Sequence, residues 1–336
     1  MTFDERVAAL APLGFTPRQT RFLVTAALHS GYCLRRQYLA FAGVRYGKNV
    51  CDFLEALVRR QLAHRFQYQR NRGHVYHLYA KALYRALAQP ENRNRRQVSP
   101  AVIARKVMVL DAVLTLPEAE WYATEEDKVG LFTREWGIPL GDLPQRAYAP
   151  THRRGPTTTR YFMHKLPVYL PPDRAVVHFV YLVNDDSGHG LAQFLHDHVR
   201  LFSALPAWSV VAVCPRGLHG LPACRTVFDR FAATTWLPVT AAELDDVRWF
   251  FAARQLVESA DLRSFSVADL DRFRETRPRF ATAQMEALYG AWLAHGERAL
   301  DHGNGRAPDM PAPAAQLVLQ ELPSTYSQFG SFPGVC

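Results

Sequence analysis

At 336 residues, 48% hydrophobic and 21% charged, the chain is long enough for two or three domains with cores of their own and too apolar to be disordered. It has no run of roughly twenty apolar residues, which excludes a membrane-spanning helix, and MTFDERVAAL is not expected to be a secretory signal. The net charge of +9 is unevenly spread: residues 1–106 hold 19 Lys+Arg against 5 Asp+Glu (net +14), and the remainder holds 21 against 26 (net −5). A basic head on a slightly acidic body implies a polyanionic partner, nucleic acid before an acidic protein surface.

In chain order, Thr16-Pro17 before RQTRFLVTAALHS predicts a capped helix with Phe22, Leu23, Ala26 and Ala27 inward, stopped at Ser30-Gly31. A short second helix over CLRRQYLAFAG and a four-residue turn, VRYG, precede a third helix from about Lys48 to Gln61. Val50, Phe53, Leu54, Leu57 and Val58 form its apolar side, and Lys48, Asn49, Asp52, Arg59 and Arg60 its outer face. HRFQYQ and HVYHLY alternate as two strands around the turn RNRG. Helices followed by a basic hairpin are the parts of a winged helix-turn-helix module, expected over residues 1–90.

In such a module the third helix enters the major groove. Arg45, Tyr46, Lys48 and Asn49 would stand at its leading end, with Arg59 further along, because Arg and Asn pair bidentately with guanine and adenine edges. Arg70, Asn71 and Arg72 would tip the wing, and Arg35 and Arg36 would contact the DNA backbone. Asp52 and Glu55 oppose this reading by repelling phosphates.

Residues 91–100, including ENRNRRQ, are expected to be a basic linker. An α/β domain follows over 101–240: a helix AVIARKVMVLDAVLTL, a weak strand near EWY, a long insertion, strands RYFMHKLPVYL and AVVHFVYLV, a helix GLAQFLHDHVRLFSAL and an apolar strand WSVVAVC. Residues 241–302 are expected to be helical and 303–336 a Pro/Gly-rich tail, giving an α+β multidomain chain.

The order of elements around Asp173, in the Pro-Pro-Asp turn, resembles the core of PD-(D/E)XK nucleases. Such a site also needs an acid and a lysine two residues apart on the next strand, holding Mg²⁺. That strand reads VHFVYLV, and acids return only at Asp185 and Asp186. The expectation is a nuclease-like scaffold with no catalytic residues; a Mg²⁺-dependent nuclease using Asp173 and Asp185 is the alternative. Glu118, Glu120, Glu125 and Glu126 have no spacing that requires a site. His196 and His198, two apart on a helix, face different ways, so with His189 and Asp197 they are not expected to bind metal. Cys33, Cys51, Cys214, Cys224 and Cys336 lack CxxC pairing and are expected to be reduced thiols of a cytoplasmic protein.

Taken together, LGFTPRQTRFL with the segment up to about Leu87, the region around LPVYLPPDR and the helix GLAQFLHDHVRLFSAL resemble the replication-relaxation family of conjugative plasmids and integrative elements, over about residues 10–215. The resemblance implies a duplex-DNA-binding regulator or accessory factor of a mobile element, nucleoid-associated, without cofactor. A homodimer through the acidic body and mobile-element or host protein partners are further expectations, and a non-catalytic adaptor is the second alternative. The family's later motif carries acids on the strand after the PD turn, where this chain has Tyr181 and Val183.

Overall fold

A computed structural model describes residues 1–67, 73–148, 157–259, 263, 265–301 and 312–330. α1 (Phe3–Ala9) is capped by Thr2, and α2 (Pro17–His29) by Thr16, whose hydroxyl accepts from the Gln19 amide while Gln19 Oε1 accepts from the Thr16 amide. β1 (Tyr32–Leu34) runs directly into α3 (Arg35–Ala42), which Gly43 ends at φ 62°. Three residues are too few for β1 to show a period, and the sequence gives no sign of it. α4 (Lys48–Arg59) buries Val50, Phe53, Leu54 and Leu57, with Phe53 against Tyr38 (centroids 4.5 Å apart) and Tyr38 against Phe22 (5.1 Å). β2 (Ala63–Gln67) and β3 (His74–Leu78) pair antiparallel, and β1 pairs antiparallel with β3's other edge, so the sheet order is β1-β3-β2. α5 (Lys81–Ala86) closes this unit.

Residues 91–100 do not form a free linker. Asn94 Nδ2 donates to the Ala27 and Leu28 carbonyls (3.0 and 2.9 Å), the Asn94 carbonyl accepts from His77 Nε2 (3.0 Å), and Asn94 Oδ1 accepts from Lys106 Nζ. The segment is polar because its side chains serve the open backbone groups of neighbouring elements, a role composition does not distinguish from solvation.

α6 (Pro100–Leu114) lies between the head and the body. One side meets β1, α2 and α3, and the other covers a face of the central sheet, so Val107, Met108 and Leu110 are fully buried. Each such side chain contributes about 1.5–3 kcal/mol of transfer free energy. Beyond it come β4 (Glu120–Tyr122), α7 (Glu125–Gly130) with a π-helical continuation over Leu131–Glu135, the ribbon of β5 (Gln145–Tyr148) and β6 (Thr158–Tyr161), β7 (Val168–Leu170), β8 (Val177–Leu182), α8 (His189–Ala204), β9 (Ala207–Pro215) and α9 (Leu221–Thr234). α10 (Leu244–Glu258), α11 (Val267–Thr276) and α12 (Ala283–His295) share a core of their own, and α12 also packs on α8.

The central sheet has the order β10-β9-β8-β7-β4, where β10 is Ala314–Leu322. β8, β9 and β10 are parallel; β7 and β4 run antiparallel to their neighbours. Its alternate residues divide between α6 on one face (Val180, Leu182, Val211, Val213) and α8 and α9 on the other (Phe179, Tyr181, Trp208, Val210). Two expectations are corrected here. The tail expected over 303–336 contains β10, paired with β9 over nine residues, with Leu317 and Leu322 buried on opposite faces of the sheet. RYFMHKLPVYL is two strands, broken where Phe162 and Lys165 take φ of 51° and 55°. Among the described residues no helix is long and apolar enough to cross a membrane.

Candidate nucleic-acid interface

α4 is about 18 Å long, and its buried stripe turns Lys48, Asn49, Asp52 and Arg59 to solvent. Gly47 precedes it in extended conformation and has no side chain with which to cap the first turn. Arg45, Lys48, Asn49 and Arg59 are exposed and have no side-chain hydrogen bond or ion pair among the described residues. Tyr46 is 62% exposed but pinned: the Arg35 guanidinium lies 4.5 Å from its ring centroid, and Cys51 Sγ donates to its hydroxyl (3.4 Å). One of the opposing acids is neutralised, since Glu55 pairs with Arg65 on β2 at 2.5 Å. The α4 N-terminus therefore gathers Arg35, Arg45 and Lys48 beside uncapped amides, a favourable place for phosphate.

Arg36 does not belong to this face. Its guanidinium grips the Asp111 carboxylate of α6 through two bonds (2.6 and 2.5 Å), and the Tyr326 hydroxyl donates to the same carboxylate (2.5 Å). Arg36, expected at a DNA backbone, is held by this ion pair instead of standing free beside Arg35, because α3 turns it toward α6. Arg60 is likewise occupied, donating to the Leu13 carbonyl and stacking on Phe15. Arg70, Asn71 and Arg72 lie outside the described residues.

No protein-family model, curated protein or solved structure matches this chain.

The nuclease-like residues have separate, local duties. Asp173 Oδ1 accepts from the Ala175 amide (3.0 Å) within its own turn, while Arg174 binds Glu120 and Glu135. Asp185 Oδ1 accepts from the Ser187 amide and hydroxyl (2.8 and 2.5 Å). The two aspartates flank opposite ends of β8, about 20 Å of strand apart, so they cannot share an ion. Between them Val177, Phe179, Val180, Tyr181 and Leu182 are all at most 5% exposed, packed from both sides. An acid or lysine there would be buried without a partner.

Glu125 accepts from the Tyr161 amide (2.9 Å). His198 is buried, its Nδ1 donating to the Phe194 carbonyl (2.8 Å), and desolvation pushes its pKa down to about 3; His196 faces outward from the same helix. Asp197 accepts from His164 Nε2 and Gln193 Nε2. Among the described residues no three His, Cys, Asp or Glu side chains are grouped to hold a metal. Cys33, Cys51, Cys214 and Cys224 are free thiols, and burial raises those of Cys33, Cys214 and Cys224 to about 12, 11 and 11.

Proposed function

We propose that the N-terminal unit is a winged helix that binds duplex DNA through α4, and that the protein is a sequence-dependent DNA-binding regulator or accessory factor. The observation that carries this reading is the joint occurrence of sheet order β1-β3-β2 around three helices and an α4 whose outer residues Lys48, Asn49 and Arg59, with Arg45 in the turn before it, are without side-chain partners among the described residues. Internal needs do not account for Lys48, Asn49 and Arg59 on the outside of α4 and Arg45 in the turn before it, next to an apolar inner stripe. Their chemistry suits phosphate and base edges. The resemblance to the replication-relaxation family supports a place in mobile-element biology. The α/β body acts as a scaffold in this reading, without chemistry of its own.

The test is binding of the full chain to mixed-sequence duplex DNA across a salt series. Lys48→Ala and Arg45→Ala should each reduce the salt slope by about 1. Asn49→Ala should relax preference at one base pair by about 1–3 kcal/mol in a selection from random duplexes. Absence of duplex binding at low salt would overturn the reading and favour a protein-docking role for the basic head.

A further inference from the structure

The β5–β6 ribbon stands outside the central sheet, and seven of its eight residues are exposed, so it has no hydrophobic face to hold it against the body. A two-stranded ribbon in that condition is marginal in water. Anchors at its base hold it: the Tyr161 amide donates to Glu125 Oε1 (2.9 Å) and the Phe162 amide to the Pro144 carbonyl (2.8 Å).

Its register sets Arg146 directly opposite Arg160 and Tyr148 opposite Thr158. Side chains alternate across a pleat, so these four share one face. Like charges opposite one another on a sheet destabilise it, and little offsets them here. Arg146 has no partner among the described residues, and Arg160 has only the Glu125 carboxylate at 3.9 Å. More cations gather at the ribbon's base. Lys165 occupies a left-handed turn (φ 55°), and its pKa is held below the ordinary lysine value by partial burial and then by Arg93, Arg160 and Arg96, with Glu125 opposing. Positive charge from residues 91–100, from β6 and from the turn after it thus converges beside one acid.

We propose that the Arg146–Arg160 face of this ribbon is a second nucleic-acid contact, separate from α4, which takes phosphodiester oxygens of duplex DNA, with Tyr148 and Thr158 alongside and Lys165, Arg93 and Arg96 extending the contact at its base. A two-stranded ribbon has the dimensions of a major groove, and arginine forms bidentate bonds to phosphate. The repulsion built into the free protein is relieved when an anion lies between the two guanidinium groups. The inference deepens the DNA-binding reading and rests on it for the identity of the ligand.

The experiment measures binding of the full chain to mixed-sequence duplex DNA across a salt series in three proteins: wild type, Arg45→Ala/Lys48→Ala and Arg146→Ala/Arg160→Ala. The ribbon variant should bind more weakly, with its salt slope reduced by about 2. Its melting temperature should be unchanged or higher, since a repulsion has been removed. Arg146→Glu adds a second readout: a cross-strand ion pair should raise the melting temperature while affinity for DNA falls, whereas a purely structural ribbon would leave DNA binding untouched. Loss of binding in the α4 variant alone, with the ribbon variant at wild-type affinity and slope, overturns the ribbon inference and keeps the α4 reading. Loss in the ribbon variant alone does the reverse. A wild-type protein that binds no duplex overturns both.

Discussion

His77 and His198 are each 2% exposed, and each donates one ring N–H to a backbone carbonyl, of Asn94 and Phe194 respectively. Desolvation disfavours the imidazolium in both, lowering the pKa values to about 4 and about 3 from an ordinary 6.5. Both are neutral in the folded protein, and in the unfolded chain they take up protons below pH 6.5. Between pH 6.5 and about 4 the unfolded state binds more protons, so stability falls as the pH falls. At pH 5 each histidine should cost about 2 kcal/mol relative to pH 7.5. Urea unfolding at the two pH values measures the loss, to which His29, lowered by burial to about 3, adds a like amount, and His198→Gln should remove about 2 kcal/mol of it. A stability unchanged between pH 7.5 and 5 would refute the assignment of neutral buried imidazoles.

At the scale of elements, the end of α2 shows how a local stop signal depends on a remote partner. Ser30-Gly31 is legible as a helix terminus, and Gly31 does take φ 74°. Its backbone also lies so near residues 91–100 that a Cβ would stand 2.4 Å from the Asn94 carbonyl oxygen. Asn94 in turn satisfies the Ala27 and Leu28 carbonyls that α2 leaves open at its C-terminus. Gly31→Ala should therefore cost about 2–4 kcal/mol, combining a left-handed alanine with displacement of the Asn94 cap. Asn94→Ala should cost about 1–2 kcal/mol through the lost bonds alone. Chemical denaturation separates the two, and equal losses would show that the close approach at Gly31 carries no penalty.

The whole molecule is organised by α6, which serves two cores at once. Tyr32, Leu34 and Val75 from the head, Val107 and Met108 from α6, and Val180, Val211 and Tyr326 from the body form one buried cluster. Two ion pairs fasten the same junction. Arg6 of α1 binds Asp127 of α7 (2.7 Å) with both side chains largely buried, and Arg36 binds Asp111 with Tyr326 as a third member. The head and body should then unfold in one cooperative transition, seen alike by far-ultraviolet circular dichroism and tryptophan fluorescence. Asp111→Ala leaves Arg36 and the buried Tyr326 hydroxyl unmatched and should cost about 2–3 kcal/mol, the lower part of the range for broken pairs because Arg36 is partly exposed. Two resolved transitions would mean that the α6 cluster does not couple the units. The same coupling holds the outer face of α4 in a fixed relation to the body.

The elements with strong periods were set by the sequence alone: α2 with its Thr16-Pro17 start, α4 with its five-residue apolar side, and the α6 and α8 helices. Their inner residues must be apolar at 3.6- or 2-residue spacing to be buried at all, so the pattern survives without the fold. The exposed cationic outer face of α4 was legible for the same reason. α9 carries the same signal in Cys224, Phe228 and Phe231, spaced as one helical face. What only the tertiary structure decided were pairings between segments far apart in the chain. β1 and β10 exist because β3 and β9 offer them edges; residues 91–100 are ordered by groups on α2 and β3; Arg36 is paired with Asp111, 75 residues away; and Arg146 meets Arg160 across a ribbon. Each depends on a partner's position in space, and composition and periodicity report only a residue's relation to its neighbours along the chain.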